Sequence, residues 1–194
     1  MELLGSYFDS ASTLNLPINW EKSAFLTNSL TFCGFTIDDH GYTCRENYII
    51  QVEGIPEPTT KKQVQILLGM FNWVRDFVPG YEDLMHLIRK CIVDGPFKWT
   101  LYAKNAFYDC LSILKKTRLI FFEGGPYEVY TDASGYAIGG TVYDKGRSCG
   151  LFSKALVESE RRYCTFEKEM FAIEHCFLKF GKFFGQWSDL KRRR

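Results

Sequence analysis

No pair of cysteines in this chain has the C-x-x-C spacing of a zinc or redox motif, although seven cysteines are present (33, 44, 91, 110, 149, 164 and 176). Histidine is equally sparse, with only His40, His86 and His175 scattered along the chain, so no zinc-binding spacing can be assembled. The odd count argues against a closed disulfide framework, and most of the cysteines sit among apolar residues. They read as small core residues in a reducing compartment. No apolar run approaches the ~20 residues that span a bilayer, and the opening MELLGSYFDS lacks the charged-then-apolar pattern of a secretory leader. The expectation is an intracellular chain, cytoplasmic or nuclear, with no membrane association. There is no internal repeat and no low-complexity stretch beyond the basic tip Lys191 to Arg194. Net charge is also nearly lacking, at +1 over 194 residues.

What is present is a core-forming composition, with 46% hydrophobic and 16% aromatic residues, which excludes a disordered tail. The small net charge hides an uneven spread. Residues 1–58 carry two basic and eight acidic residues, residues 59–122 ten basic and five acidic, and residues 123–194 twelve basic and ten acidic. A basic middle segment suits a surface that follows a nucleic-acid backbone, and equally suits a solvated helix face.

Periodicity divides the chain into three stretches. The first holds a strand candidate at Leu30 to Ile37, a turn signal at Asp38-Asp39-His40-Gly41 and a second extended run from Tyr42 to Val52, which together read as a hairpin. The second stretch is helical. Thr60-Lys-Lys-Gln63 has the form of a capping box, in which hydroxyl and amide side chains satisfy the first helical amides. Val64, Leu67, Leu68, Phe71, Val74 and Val78 follow at helical spacing until Pro79 and Gly80. A shorter helix surrounds Leu84, Leu87, Ile88 and Cys91, and a third begins after Thr100, giving a small bundle. The third stretch has strand candidates at Tyr127–Asp132, Ala137–Tyr143 and Ser148–Ser153. A helix capped by Thr165 then presents Phe166, Met170, Ile173, Phe177 and Phe180 as its core stripe. The fold class expected is α+β.

Two carboxylates stand out by position. Asp132 ends an alternating strand just before Ala-Ser-Gly, and Glu169 interrupts an apolar helix, in line with Phe166 and Ile173. A carboxylate facing a sheet is costly to bury unless a cation compensates it. One from a strand end and one from a following helix make half of a two-metal phosphodiester-cleaving site. The alternative is a rim glutamate paired with Lys168 or Arg162 and an aspartate that merely forms a turn.

YTDASGYAIGGTVY followed by LFSKALVESERRYCTFEKEMFAI resembles the ribonuclease H domain of gypsy-type LTR retrotransposon Pol polyproteins. Asp132, Ser153-Lys154, Leu156, Glu160, Tyr163, Glu167-Lys-Glu169 and Ala172 match that pattern in order. LLGMFNWVRDFVPGY (67–81) and FKWT (97–100) are similar to the reverse transcriptase thumb, with Trp73 where the family has a tyrosine-like aromatic. Phe32-Cys33-Gly34-Phe35 resembles the hairpin closing the palm, with Cys33 in place of the family's leucine. The resemblance covers nearly all of residues 20–185.

It implies a palm-end β-hairpin (1–55), a thumb-like helical segment (56–122), a truncated ribonuclease H-like mixed sheet with one covering helix (123–187) and a basic tail (188–194). It implies catalytic and metal-binding roles for Asp132 and Glu169, with Mg²⁺ or Mn²⁺ as cofactor. Nucleic-acid contacts are implied for Phe32, Cys33, Gly34 and Phe35, and phosphate contacts are reasonable for Lys61, Lys62 and Arg75. The partners implied are an RNA–DNA hybrid or template-primer and the rest of a Pol polyprotein. The family's third metal ligand follows a further strand, for which Asp189 is a poor substitute because it follows the helix too closely. Asp38-Asp39 lacks the tyrosine of a polymerase Tyr-x-Asp-Asp motif, having Thr36 there, and reads as a turn. The sequence thus suggests a piece of a reverse transcriptase/ribonuclease H that is inactive by itself. The alternatives are a non-catalytic, connection-type nucleic-acid-binding module or a decayed element.

Overall fold

The computed structural model describes residues 2–93 and 95–184. The chain opens with helix α1 (Glu2–Thr13), which the sequence reading did not anticipate. Ala11 is buried, and Phe8 joins Trp20 and Phe25 in a small aromatic group at 5.5 and 5.4 Å.

The expected strand at 30–37 is two strands. β1 (Ser29–Phe32) and β2 (Phe35–Asp38) pair antiparallel around Cys33 and Gly34. Both turn residues have positive φ, 49° and 81°, as a two-residue hairpin turn with the twist of its strands requires. β3 (Gly41–Cys44) follows the Asp39-His40 turn, where Asp38 Oδ1 accepts the His40 amide at 2.9 Å. The extended run read as far as Val52 stops at Cys44. Residues 46–53 form helix α2 (Glu46–Glu53) instead, with Ile49 and Val52 buried and Ile50 57% exposed. A short apolar run such as Tyr48 to Val52 fits strand or helix, and burial at i and i+3 decides for the helix.

Helices α3 (Lys61–Trp73), α4 (Tyr81–Val93) and α5 (Leu101–Lys116) build the bundle. The capping box forms as read, with Thr60 Oγ1 accepting the Gln63 amide and Gln63 Oε1 accepting the amides of Thr59 and Thr60. α3 ends sooner than its apolar spacing suggested. At Val74 the hydrogen bonding shortens to i−3, a 3₁₀ turn spans Arg75–Phe77, and Val74, Phe77 and Val78 are still buried. Val64, Leu67, Phe71, Tyr81, Met85, Ile88, Cys110 and Leu114 fill the centre. After α5, β4 (Arg118–Leu119) returns to pair with β3, so the first sheet has the order β1-β2-β3-β4.

The second sheet comprises β5 (Tyr127–Ala133), β6 (Ala137–Asp144) and β7 (Arg147–Ala155) in sequential order. Among the described residues it is antiparallel throughout, not mixed as expected, because tight turns join consecutive strands. A short helix α6 (Glu158–Arg161) leads into α7 (Thr165–Phe180). Thr165 is the first helical residue rather than the cap, and the Cys164 amide bonds Glu167 at 2.8 Å.

The face that α7 buries agrees with the expected one at Phe180 and otherwise differs from it. Phe166, Met170 and Ile173 are 72%, 49% and 38% exposed, whereas Ala172, Cys176 and Phe180 are buried against Ile138, Val142 and Phe152. Two interleaved stripes satisfy the helical period here. Small side chains at 172 and 176 allow the helix to approach the sheet closely, and that contact prevails over the larger apolar stripe. The sheet's other face is covered as well. Leu151 of β7 belongs to the bundle's core, so helices lie on both sides instead of the one covering helix expected.

Candidate functional site

Strand alternation fixes where Asp132 points. Tyr127, Val129 and Ala133 pack into the core beneath α7, while Glu128, Tyr130 and Asp132 are exposed on the opposite side. Asp132 lies directly across from Gly139, which lies across from Ser153, so these three residues form one row over the sheet. Ser134 then closes the strand-end turn. Its Oγ accepts the Ala137 amide at 3.0 Å and donates to the Ala137 carbonyl at 3.1 Å. Asp132, Tyr130 and Ser134 line a cleft of about 220 Å³ whose far wall is Pro79, Gly80 and Asp83 of the bundle. Beside it, His86 of α4 stacks on Tyr136 at 4.1 Å. Burial and the neighbouring Lys90 and Arg161 hold the His86 imidazole below its usual pKa, so it is neutral at pH 7.

Glu169 occupies the second turn of α7 and is half-buried. It precedes Ala172 by three and Cys176 by seven positions, which places it on the sheet-facing stripe. Phe166 and Ile173, three positions before it and four after, face outward. Asp132 and Glu169 therefore come from elements that pack together, with Asp132 on the strand side turned away from the helix core. Among the described residues no group of three or more His, Cys, Asp or Glu side chains could hold a metal. The donor chemistry suits a hard divalent cation, since both groups are carboxylates. Their number is short of a closed site. Asp189 lies outside the described residues.

The family-like motif residues around the carboxylates are built into the scaffold. Lys154 Nζ donates to Glu160 at 2.7 Å, Glu160 accepts the Val157 amide at 2.8 Å, and Tyr163 meets Phe171 edge-on. Together they bend the chain from β7 into α7.

The turn at the β1–β2 hairpin is fastened to the end of α3. Phe35 stacks on Trp73 with centroids 5.9 Å apart and on Phe77 at 5.1 Å, and Gly34 leaves only 3.0 Å between a would-be Cβ and the Trp73 indole nitrogen. Phe32 and Cys33 are exposed at its tip. Lys61 donates to the Gly95 carbonyl at 2.9 Å, while Lys62 is exposed and has no ion-pair or hydrogen-bond partner among the described residues. Arg75 is engaged internally, with the Ser153 carbonyl at 2.5 Å and with Glu82 at 3.8 Å, while its side chain stays 38% exposed. Asp38 binds Arg118 at 2.6 Å, in agreement with its reading as a structural residue.

One surface escaped the sequence reading. Lys62, Ile66, Gly69 and Trp73 recur at i, i+4, i+7 and i+11 on the outer side of α3. Ile66 is 55% and Trp73 53% exposed, and open space surrounds Gly69. The available signal was this second stripe, on the side of the helix opposite the core pattern.

Residues 99–190 match the family model described as an RNase H-like domain found in reverse transcriptase. The chain is 31% identical over 182 residues to the retrovirus-related Pol polyprotein from transposon opus of Drosophila melanogaster, covering 84% of this chain and 18% of that protein. It is 25% identical over 186 residues to the corresponding polyprotein from transposon gypsy of the same organism, covering 87% and 18%. The chain thus spans less than a fifth of the length of these relatives. Its fold is shared by the foamy viral protease-reverse transcriptase solved in complex with RNA/DNA hybrid, with a TM-score of 0.74 at 24% identity over 95% of this chain and 26% of that one. The same enzyme's dRH form in complex with ds DNA gives 0.74 at 22% identity over all of this chain and 37% of that one.

Proposed function

Because the chain belongs to the retrovirus-related Pol polyproteins and carries the RNase H-like domain found in reverse transcriptase, we propose that it is a hybrid-binding and RNA-cleaving part of such an enzyme. The reading rests on the two carboxylates that the family resemblance singles out, Asp132 at a strand end and Glu169 on the helix packed against that sheet, with Asp132 turned to the face opposite α7. In this proposal the stretch from β1 to β4 is the end of a palm, α3–α5 the thumb and β5–α7 the ribonuclease H-like sheet. A bound Mg²⁺ or Mn²⁺ would activate water and stabilise the leaving oxygen of a phosphodiester.

The chain's own residues set the rest. Lys62 offers an exposed ammonium to phosphate, and Trp73 offers an exposed ring beside the Phe32–Phe35 turn, whose backbone follows a primer strand. Gly69 lets a sugar-phosphate chain approach the helix closely. Recognition on such a face is by shape, 2′-hydroxyls and phosphates rather than base sequence. With two donors rather than a closed set, the purified chain is expected to bind hybrid and cleave it little or not at all.

The test pairs two assays on the purified chain. Anisotropy with a labelled RNA–DNA hybrid should show salt-sensitive binding, with Lys62→Gln lowering the slope of log K against log salt by about 1. Release of labelled RNA in Mn²⁺ is measured beside Asp132→Asn and Glu169→Gln. Absence of any hybrid binding would refute the assignment. Efficient cleavage lost in both variants would refute the expectation of weak activity and show a working metal site.

A second reading, a connection-type module that binds nucleic acid without cutting it, is favoured by the turn of Asp132 away from the α7 core. It predicts that Asp132→Asn and Glu169→Gln leave hybrid affinity unchanged and that cleavage is absent in the full polyprotein too.

A further inference from the structure

Two of the stretches that carry the family resemblance, LLGMFNWVRDFVPGY and LFSKAL, meet in space. Arg75 comes from the first and Ser153 from the second. The Arg75 guanidinium donates to the Ser153 carbonyl at 2.5 Å across 78 residues of sequence. Ser153 Oγ in turn accepts the amide of Glu82 at 2.9 Å. That amide belongs to the first turn of α4, where helix geometry leaves N–H groups without intrahelical acceptors. A serine of the second sheet thereby caps a helix of the bundle. Both residues are buried, Glu82 at 5% and Ser153 at 4% exposure. A buried carboxylate needs compensation, and Glu82 receives it from Arg89 at 2.6 Å and Arg75 at 3.8 Å. Leu151, one row away on the same face, is buried in the bundle's own core. At the margin, Lys179 of α7 reaches Asp76 at 2.7 Å and the Leu151 carbonyl at 3.1 Å.

We propose that the α3–α5 bundle and the Asp132 sheet move as one body, clasped by Arg75, Glu82 and Ser153, and that the bundle thereby supplies the fixed far wall of the cleft facing Asp132. The row Asp132–Gly139–Ser153 makes the connection direct: the residue that the bundle grips lies two strands from the carboxylate, about 10 Å at ordinary strand spacing. Pro79, Gly80 and Asp83, which form that wall, flank the gripped α4 terminus. Opening the joint would break both hydrogen bonds to Ser153, from the Arg75 guanidinium and from the Glu82 amide, so it is opposed by each of them. Arg75, Glu82 and Ser153 are positioning residues in this arrangement. A duplex seated on Lys62, Ile66, Gly69 and Trp73 is held at one offset from Asp132. This inference rests on the proposed function for the identity of the ligand only, since the joint itself is a matter of geometry.

The test is a distance measurement on the full chain. Spin labels are placed at Gln65→Cys on α3 and Arg147→Cys on β7, after Cys33→Ser and Cys164→Ser remove the two exposed thiols. Double electron–electron resonance should give a single narrow distance distribution that does not shift when an RNA–DNA hybrid is added. In the Arg75→Gln/Ser153→Ala chain the narrow peak should be lost, while the far-UV spectrum and cooperative melting persist. A broad or two-peaked distribution in the parent chain, or a shift on adding hybrid, overturns the proposal whether or not the variant folds. A folded variant that retains the narrow peak overturns the role of the clasp. Neither readout depends on RNA cleavage, so failure of the ribonuclease reading and failure of this one are separate results.

Discussion

The glycines at 139 and 140 give the sharpest check on the second sheet, because the structure predicts opposite outcomes for the same substitution at adjacent positions. A Cβ added at Gly140 would lie 2.5 Å from Phe152 Cε1, 2.9 Å from the Tyr130 carbonyl oxygen and 3.1 Å from Thr131 Cγ2. Carbon atoms pack at about 3.5–4.0 Å, so the methyl overlaps a ring by about 1 Å and a backbone oxygen as well. The ring is buried at 3% exposure and cannot swing away freely, and the oxygen belongs to the β5–β6 ladder. At Gly139 the nearest atom is the Phe152 carbonyl oxygen at 3.4 Å, an ordinary contact. Overpacking of this kind costs about 1–3 kcal/mol. Replacing glycine by alanine returns about 0.4–1 kcal/mol by restricting the unfolded chain. Gly140→Ala should therefore destabilise by about 1–2 kcal/mol, a fall of roughly 2–8 °C in Tm for a chain of this size. Gly139→Ala should stay within about 0.5 kcal/mol of the parent. Urea titration with a common m-value and a thermal scan measure both. A neutral Gly140→Ala would refute the packing of Phe152. If Gly139→Ala were the damaging change, the strand register would be wrong by one residue, since such a slip exchanges the two faces.

Three other outcomes follow from individual groups. Tyr81 is buried with its hydroxyl unpaired among the described residues, and burial raises the phenol pKa far above its usual value; Tyr81→Phe should leave stability unchanged or raise it by up to about 1–2 kcal/mol in urea titration, and a clear loss would reveal a partner. Cys33 and Cys164 are exposed and the other five cysteines buried, with burial pushing Cys110 up to about 12 and Cys44, Cys149 and Cys176 up to about 11. A thiol titration of the native chain at pH 8 should show two fast groups and five that react only on unfolding, and a third fast thiol would contradict the packing. The hydrogen bond from Lys154 holds the Glu160 carboxyl below its ordinary value of 4.5. Its contribution is complete above that value and is lost as the pH falls through the folded pKa. The stability difference between the parent and Lys154→Gln should be full at pH 7 and close under acid conditions, and a gap that widens in acid would reverse the assignment.

Local chemistry was readable from the sequence wherever a few neighbouring residues complete the interaction. The capping box at Thr60 and Gln63 needs only four consecutive positions, and the turns at Asp38–Gly41 and Ser134–Ala137 need little more. The same holds for the identity of Asp132 and Glu169 as candidates, since a strand end and a helical interruption are both local patterns. Failures began where a pattern admitted two solutions. The run from Tyr48 to Val52 suits a strand until burial of Ile49 and Val52 selects a helix. On α7 the large stripe of Phe166, Met170 and Ile173 and the small stripe of Ala172 and Cys176 have the same period. Only the approach of the helix to β5 and β6 chooses the small one. Nothing near Arg75 in the sequence indicates that Ser153 and Glu82 are its partners.

The sequence by itself thus determined the bundle helices, the strands of the second sheet, the kinds of chemistry available and the family, because these are written in short-range periodicity and ordered motifs. Tertiary structure alone decided which face each helix buries, which side of the sheet Asp132 occupies and that the bundle grips the row of Asp132. Those outcomes depend on contacts between residues far apart in the chain, 78 and 71 positions for the grip on Ser153, whose energies arise only once the elements have packed.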